Sequence, residues 1–307
     1  MSLVVLLTGV YHVSRRRTVS LLDDIVGVKM SLGAVSAIEG RVSEALVPAV
    51  DEAWREVEQA TVKHTDATSW LQNGKLRSLW TIATRTATVF KVLADGSAAS
   101  IRPLFGSLGG ILVSDRATVF SFWKMKRRQV CWAHLLRKFI AFSERDGPAA
   151  QFGEELLGYV SLLFNDWHSY KAGAMNRRQF RSWMKPIQEN MQTCLQRAVA
   201  ADIKHVSGSC KDILAHEEAL WTFVAHDGVE PTDSHAEQGL RAFVLWRKRC
   251  FGSQSERGNL FAERIMTVAH TARKQRRDVL AFLTDSCRAG IDGREPPSLL
   301  SVAGSAA

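Results

Sequence analysis

The sequence predicts an α/β fold, and three observations carry that prediction. Residues 62–93 alternate with period two around an Asn73-Gly74 turn. A short apolar run, Ile111–Ser114, closes on Asp115. On either side the chain repeats its apolar residues at three- and four-residue spacing, as helices do. With 46% hydrophobic residues among 307, the chain can bury a sizeable core. Forty Lys+Arg against 31 Asp+Glu leave a formal charge of +9, which favours a polyanionic partner.

In order, Ser14 is placed to cap a helix from Arg15 to Ile25, and Ser31 a second one carrying Leu32, Val35, Ile38 and Val42, with Gly27 between them. Two helices joined through a glycine suit a helix-turn-helix, and equally a helical hairpin packed on the main domain. From Val62 the period becomes that of a strand. Asn73-Gly74 supplies the positive backbone angles of a tight hairpin, and 76–84 and 86–93 are rich in β-branched and aromatic residues. A helix over 97–108, a buried strand at 111–115, a linking helix and a strand centred on Val130 follow. That order, three antiparallel strands and then helix, strand, helix, strand, is the order of a ribonuclease-H-like domain. Beyond His134 the pattern stays helical for most of a hundred residues, as an all-helical insertion would. A helix beginning near Pro231-Thr232 carries Glu237, and one long helix is expected over 258–283.

The expected organisation is therefore a helical region over 1–58 and the first part of the ribonuclease-H-like domain over 59–134. An all-helical insertion over 135–228 follows, then the rest of that domain over 229–288 and a disordered tail over 289–307, rich in Gly and Pro. Five scattered cysteines lack the spacing of a zinc knuckle or a redox pair and are expected to be reduced. The apolar opening stretch is too brief to span a bilayer and lacks the preceding charge of a signal peptide. A soluble, cytoplasmic, nucleoid-associated protein without a membrane partner is the expectation.

Phosphodiester chemistry needs an activated oxygen nucleophile and a counter-charge for the leaving oxygen. Paired magnesium ions supply both, held by carboxylates remote in sequence. Asp66 lies mid-strand on the first strand, Asp115 ends the fourth, and a third acid must come from a later helix, with Glu230, Asp233, Glu237 and Glu256 available. Each acid alone is more often a surface charge or a turn residue.

Several segments carry a resemblance that orders these candidates. His64-Thr-Asp-Ala-Thr-Ser-Trp70 followed by Asn73-Gly74-Lys75, Leu112-Val-Ser-Asp-Arg116, Arg127 to Phe139, and Glu230-Pro-Thr-Asp-Ser-His-Ala-Glu-Gln-Gly-Leu-Arg241 occur in this order. Arg247-Lys248, Gly252, Ser255-Glu-Arg-Gly258 and Thr267-Val268 continue the series. Together they resemble the insertion-sequence sixty-six family of bacterial transposases, the acidic-triad, ribonuclease-H-like kind, over nearly the whole chain. The resemblance implies that Asp66, Asp115 and Glu237 are the catalytic, metal-binding triad, holding two Mg²⁺ for which Mn²⁺ can substitute. It implies end cleavage of a mobile element and strand transfer without a covalent protein–DNA intermediate. Double-stranded DNA, as terminal inverted repeats and target, is the implied partner, with a homo-oligomer on DNA and element-encoded accessory proteins by analogy. Arg241, Arg247, Lys248, Arg249 and Arg257 follow the third acid and are expected to grip DNA, against the plain alternative of a solvated helix face. Cys131 and His134 offer only two zinc ligands, and the resemblance gives them a structural role joining the insertion to the sheet.

The sequence also departs from the family pattern. Ala67 stands where the first motif has Glu, Ser69 where it has Gly, and Gln238 where an Arg follows the third acid. Members carry a longer, cysteine-rich N-terminal region, so the chain is expected to be N-terminally truncated. Beside the active transposase stand two other readings: a catalytically silent relic that still binds DNA, and a non-enzymatic DNA-binding adaptor.

Overall fold

The computed structural model describes residues 1–300. The chain opens with α1 (Ser2–Val5), continued as a π-helical turn over Leu6–Val10. Next come α2 (Arg15–Val26), α3 (Leu32–Ala45) and α4 (Val47–Gln59). Ser14 and Ser31 cap α2 and α3 by accepting from the amides of Arg17 and Ala34, and Gly27 ends α2 in the left-handed conformation. The strands β1 (Val62–Gln72), β2 (Lys75–Ala83) and β3 (Thr88–Leu93) precede α5 (Ala98–Phe105), which Ser97 caps. Two short strands, β4 (Ile111–Ser114) and β5 (Arg128–Val130), are followed by α6 (Trp132–Ser143), α7 (Pro148–Lys171), α8 (Arg177–Ala200) and α9 (Ser207–Ala215). The short α10 (Glu217–Leu220) and α11 (Thr222–Ala225) lead to α12 (Ser234–Cys250), α13 (Glu256–Lys274) and α14 (Val279–Asp292). The result is an α/β protein, rich in helix, with antiparallel and parallel strand pairs. Among the described residues no helix is long and apolar enough to cross a membrane.

Three expectations are corrected. The linking helix between β4 and β5 is reduced to two single 3₁₀ turns, Thr118–Phe120 and Met125–Arg127. The long helix expected over 258–283 breaks between α13 and α14. There Arg276 takes a φ of 56° and Asp278 caps the next helix by accepting from the Ala281 amide at 2.7 Å, so a local cap outcompetes helix continuation. The expected disordered tail is ordered as far as residue 300: α14 runs to Asp292, Leu299 is fully buried, and the Glu52 carboxylate accepts the Leu299 amide at 2.6 Å. Residues 301–307 of that tail lie outside the described residues.

The chain divides into two compact units, one of Met1–Gly110 with the segment from Ser234 onward, the other of Ile111–Asp233. In the first, β2 lies between β1 and β3, antiparallel to both, with His64 opposite Ala83 and Thr81 opposite Phe90. The hairpin turn is made by Asn73 and Gly74 at φ 49° and 73°, the mirror-image turn that matches strand twist. Helix α13 packs on β3 and α12 on β1 and β2. The α13 contacts are polar as well as apolar. Thr267 and Thr271 accept the Phe90 and Thr88 amides, and Glu263 accepts the Val92 amide at 2.7 Å, so α13 satisfies the open edge of β3. In the second unit β4 and β5 pair in parallel, Val113 opposite Gln129, and α6 to α9 pack in sequence, neighbour on neighbour.

Candidate active site

Alternate residues of a strand share a face, so His64, Asp66, Thr68 and Trp70 point the same way from β1. Helix α12 lies along that face. Its apolar side, Ala236, Gly239, Leu240, Phe243 and Trp246, is buried, and at Gly239 an added Cβ would come within 3.3 Å of the Phe90 ring. Two ring contacts fix the register. His64 meets His235 edge-on at 4.8 Å between centroids, and Trp70 meets Phe243 edge-on at 5.5 Å. Helix and strand therefore run in the same direction, and both Asp66 and Glu237 fall between the two contacts.

Asp66 is half-buried, and its Oδ1 accepts the Ala67 amide at 2.8 Å. Glu237 is half-buried in the first turn of α12, where the helix dipole favours a negative charge. His64 is 3% exposed, and burial, reinforced by His235 and Lys274, holds its pKa at about 3, so the imidazole beside Asp66 is neutral. The far end of the strand is pinned as well. Trp70 Nε1 donates to Asn259 Oδ1 at 3.0 Å, the Asn73 amide donates to the Ser253 carbonyl and the Ser253 amide to the Leu71 carbonyl, both at 2.8 Å. Gly252 makes this approach with φ 85°, and a Cβ there would lie 2.0 Å from the Leu71 oxygen.

In the second unit, Asp115 follows β4. Its Oδ1 accepts the Ala117 amide at 2.9 Å, and its carbonyl accepts Arg128 Nη2 at 3.1 Å. Arg128 is 1% exposed and its guanidinium lies over the Phe120 ring. Burial lowers its pKa and the Asp115 charge opposes that shift. Sequence reasoning passed over Arg128, although a charge inside a short strand is itself a signal of a buried polar role. The Cys131 amide donates to the Ser114 carbonyl at 2.8 Å, and its sulfur accepts the Asp233 amide at 3.2 Å. The same sulfur and a ring nitrogen of His134 lie within 4.8 Å of each other. The Trp132 amide donates to the Pro231 carbonyl at 2.9 Å, so the helical excursion starts and ends at one place within this unit.

A sequence model described as "Transposase IS66 family" matches residues 1–260. The chain belongs to that family. A comparison with curated proteins returned no match. In this transposase the rival third acids separate by position. Glu230 pairs with Lys171 at 3.9 Å and Asp233 is fully buried beside Cys131, both in the second unit. Glu256 accepts from Asn259 at 3.3 Å, and Asn259 donates to Gln72, six positions along β1 from Asp66. Only Glu237 of the four lies in the stretch of α12 that runs beside Asp66.

The basic residues of the transposase divide in the same way. Arg247 donates to Thr68 Oγ1 at 3.3 Å and to the backbone and hydroxyl oxygens of Ser69, tying α12 to β1. Arg249 reaches the Tyr11 carbonyl at 3.4 Å, and Arg257 the Ser36 hydroxyl at 2.6 Å. Arg241 and Lys248 lie exposed on α12.

Proposed function

We propose that the transposase performs metal-dependent cleavage at the ends of an insertion sequence and transfers the freed strand to target DNA, with Asp66, Asp115 and Glu237 as its acidic triad. The observation that carries this reading is the shared register of β1 and α12, which brings two hard oxygen donors, Asp66 and Glu237, into one stretch of a half-buried face. Carboxylate oxygens suit Mg²⁺ and Mn²⁺, so this donor set fits the ions that the family reading implies. When bound, such ions supply Lewis-acid activation of an oxygen nucleophile and charge stabilisation for the leaving oxygen.

The chain's own residues supply the setting. The neutral His64 adds no positive charge to compete for the carboxylates, and Arg247 holds α12 against β1 so that Glu237 keeps its place. Arg128 steadies the backbone at Asp115, the third carboxylate of the proposed triad. Arg241 and Lys248 are available to DNA phosphates, whereas Arg247, Arg249 and Arg257 also serve as internal ties. The reading extends to a ribonuclease-H-like catalytic domain, a multimer on DNA and nucleoid association.

The test is incubation of the protein with a duplex carrying candidate terminal repeats, in Mg²⁺ or Mn²⁺, beside Asp115→Asn. Strand cleavage that the substitution abolishes is the expected result. Cleavage surviving in Asp115→Asn, Asp66→Asn and Glu237→Gln would remove the triad from the mechanism.

A further inference from the structure

Helix α12 is followed by a residue whose conformation the fold does not need. Phe251 takes a φ of 55°, in the left-handed region where a bulky side chain is an outlier and where helix ends usually place glycine. Glycine comes only at the next position, where Gly252 has a φ of 85° and lies against Leu71. The Phe251 ring is 72% exposed, and it meets no other ring and no cation among the described residues. Strain is thus kept for a side chain that gives the interior little, and strain of that kind gathers where a ligand is met.

The surroundings of the ring say what would meet it. The segment it opens is bonded to the tip of the β1–β2 hairpin, through the Asn73 amide to the Ser253 carbonyl and the Ser253 amide to the Leu71 carbonyl. At that tip Leu76, opposite Leu71, is 68% exposed, so a second large apolar side chain stands out from the same edge. Charge is a separate observation. Residues 67–94 and 238–255, the two stretches that meet here, contain no Asp or Glu. Glu256, the first acid after them, accepts from Asn259. Lys75 and Lys248 are exposed, with no hydrogen-bond or ion-pair partner among the described residues. A second copy of so basic an edge would be repelled by it. A nucleic acid suits both features, with phosphates for the lysines and base faces for the ring.

We propose that Phe251 is a wedge for DNA, its ring stacking on a base opened from the duplex while Lys75 and Lys248 hold the flanking phosphates. An apolar side chain inserted at a base step unstacks it, and an aromatic ring accepts any base because every base has a π-face. Gly252 meets β1 at Leu71, roughly 17 Å along the strand from Asp66, a span of about five base steps. The proposal rests on the reading that the chain handles DNA, and it adds the point at which that DNA is opened.

The test uses the full chain and two fluorescein-labelled duplexes, one fully paired and one with a single unpaired base at its centre, with affinity read by anisotropy over a series of salt concentrations. The unaltered chain is expected to prefer the unpaired base by roughly tenfold, and Phe251→Gly to lose that preference with its salt slope unchanged. Phe251→Trp should keep it. Because glycine suits a positive φ, Phe251→Gly is expected to unfold at the same urea concentration as the unaltered chain or a higher one, which separates a lost contact from a damaged fold. Lys248→Ala should weaken binding to both duplexes and make the slope shallower by about one. Equal affinity of the unaltered chain for the two duplexes would overturn the proposal, as would a preference that survives in Phe251→Gly. Self-association of the chain that Phe251→Gly abolishes, with the preference kept, would make this edge a contact between copies and would also overturn it. The two readings fail separately. A preference kept in Phe251→Gly, with cleavage lost in Asp115→Asn, removes only the wedge; a preference lost in Phe251→Gly, with cleavage intact in Asp115→Asn, removes only the triad.

Discussion

His64 on β1 and His235 on α12 meet edge to face, 4.8 Å between ring centroids, and that contact sets where the acids that follow them by two positions come to lie. The same imidazole is neutral because it is buried, which has a measurable consequence. In the folded protein His64 titrates near 3 and His12 and His270 near 4, all lowered chiefly by burial, against 6.5 when exposed. Above pH 6.5 neither state takes up these protons. Below it the unfolded chain binds them and the folded one does not, so stability falls as pH drops from 6.5 towards 4. Each histidine contributes about 1.4 kcal/mol per pH unit in that window. Urea unfolding at a series of pH values is expected to show this slope, shallower by one proton's worth in His64→Gln. An unchanged slope in that variant would mean that His64 is protonated when folded.

Removing any carboxylate of the proposed triad should spare folding and, on that proposal, stop strand cleavage. Asp66→Asn and Glu237→Gln are expected to melt near the unaltered chain, since both side chains are half-buried, and to lose strand cleavage to background. Glu256→Gln, bonded to Asn259 near the end of β1, is expected to cut normally. A cleavage assay run on all three checks the assignment, and loss in Glu256→Gln with activity kept in Glu237→Gln would reverse it.

Arg128 offers a test of support at a distance. Arg128→Ala removes the donor to the Asp115 carbonyl and leaves space under Phe120, so it should destabilise the chain by about 2–4 kcal/mol. Its cleavage rate should fall further than its DNA affinity. Equal losses in both would show that Arg128 supports the fold as a whole and not Asp115 in particular.

Gly252 is held by geometry. Gly252→Ala places a methyl against the Leu71 carbonyl at a φ of 85°, and should cost about 1–3 kcal/mol from backbone strain alone. A urea midpoint equal to that of the unaltered chain would show that the 252–253 segment does not pair with β1.

The parts of this fold that the sequence made legible are those decided within a few residues. Ser14, Ser31 and Ser97 cap helices where their side chains reach an amide three positions on, and Asn73-Gly74 turns the hairpin because both accept positive φ. The order of strands and the positions of Asp66 and Asp115 at mid-strand and strand end were legible for the same reason. What escaped was decided by partners remote in the chain. Leu299 is buried and its amide bonded to Glu52, so a Gly- and Pro-rich segment that reads as disordered is ordered by a carboxylate far upstream. The break between α13 and α14 turned on Asp278, whose capping role is visible only once the helix is known to stop. Arg257 donates to the Ser36 hydroxyl from more than two hundred positions away, and no local pattern could have paired them.

The bond from the Trp132 amide to the Pro231 carbonyl has a bearing on ancestry. Because the helical excursion leaves and returns beside the same two bonds, this one and that of the Asp233 amide to the Cys131 sulfur, its contents can be lengthened, trimmed or exchanged with both bonds kept. Selection could therefore reshape that lobe while the residues at its two ends stayed as they are.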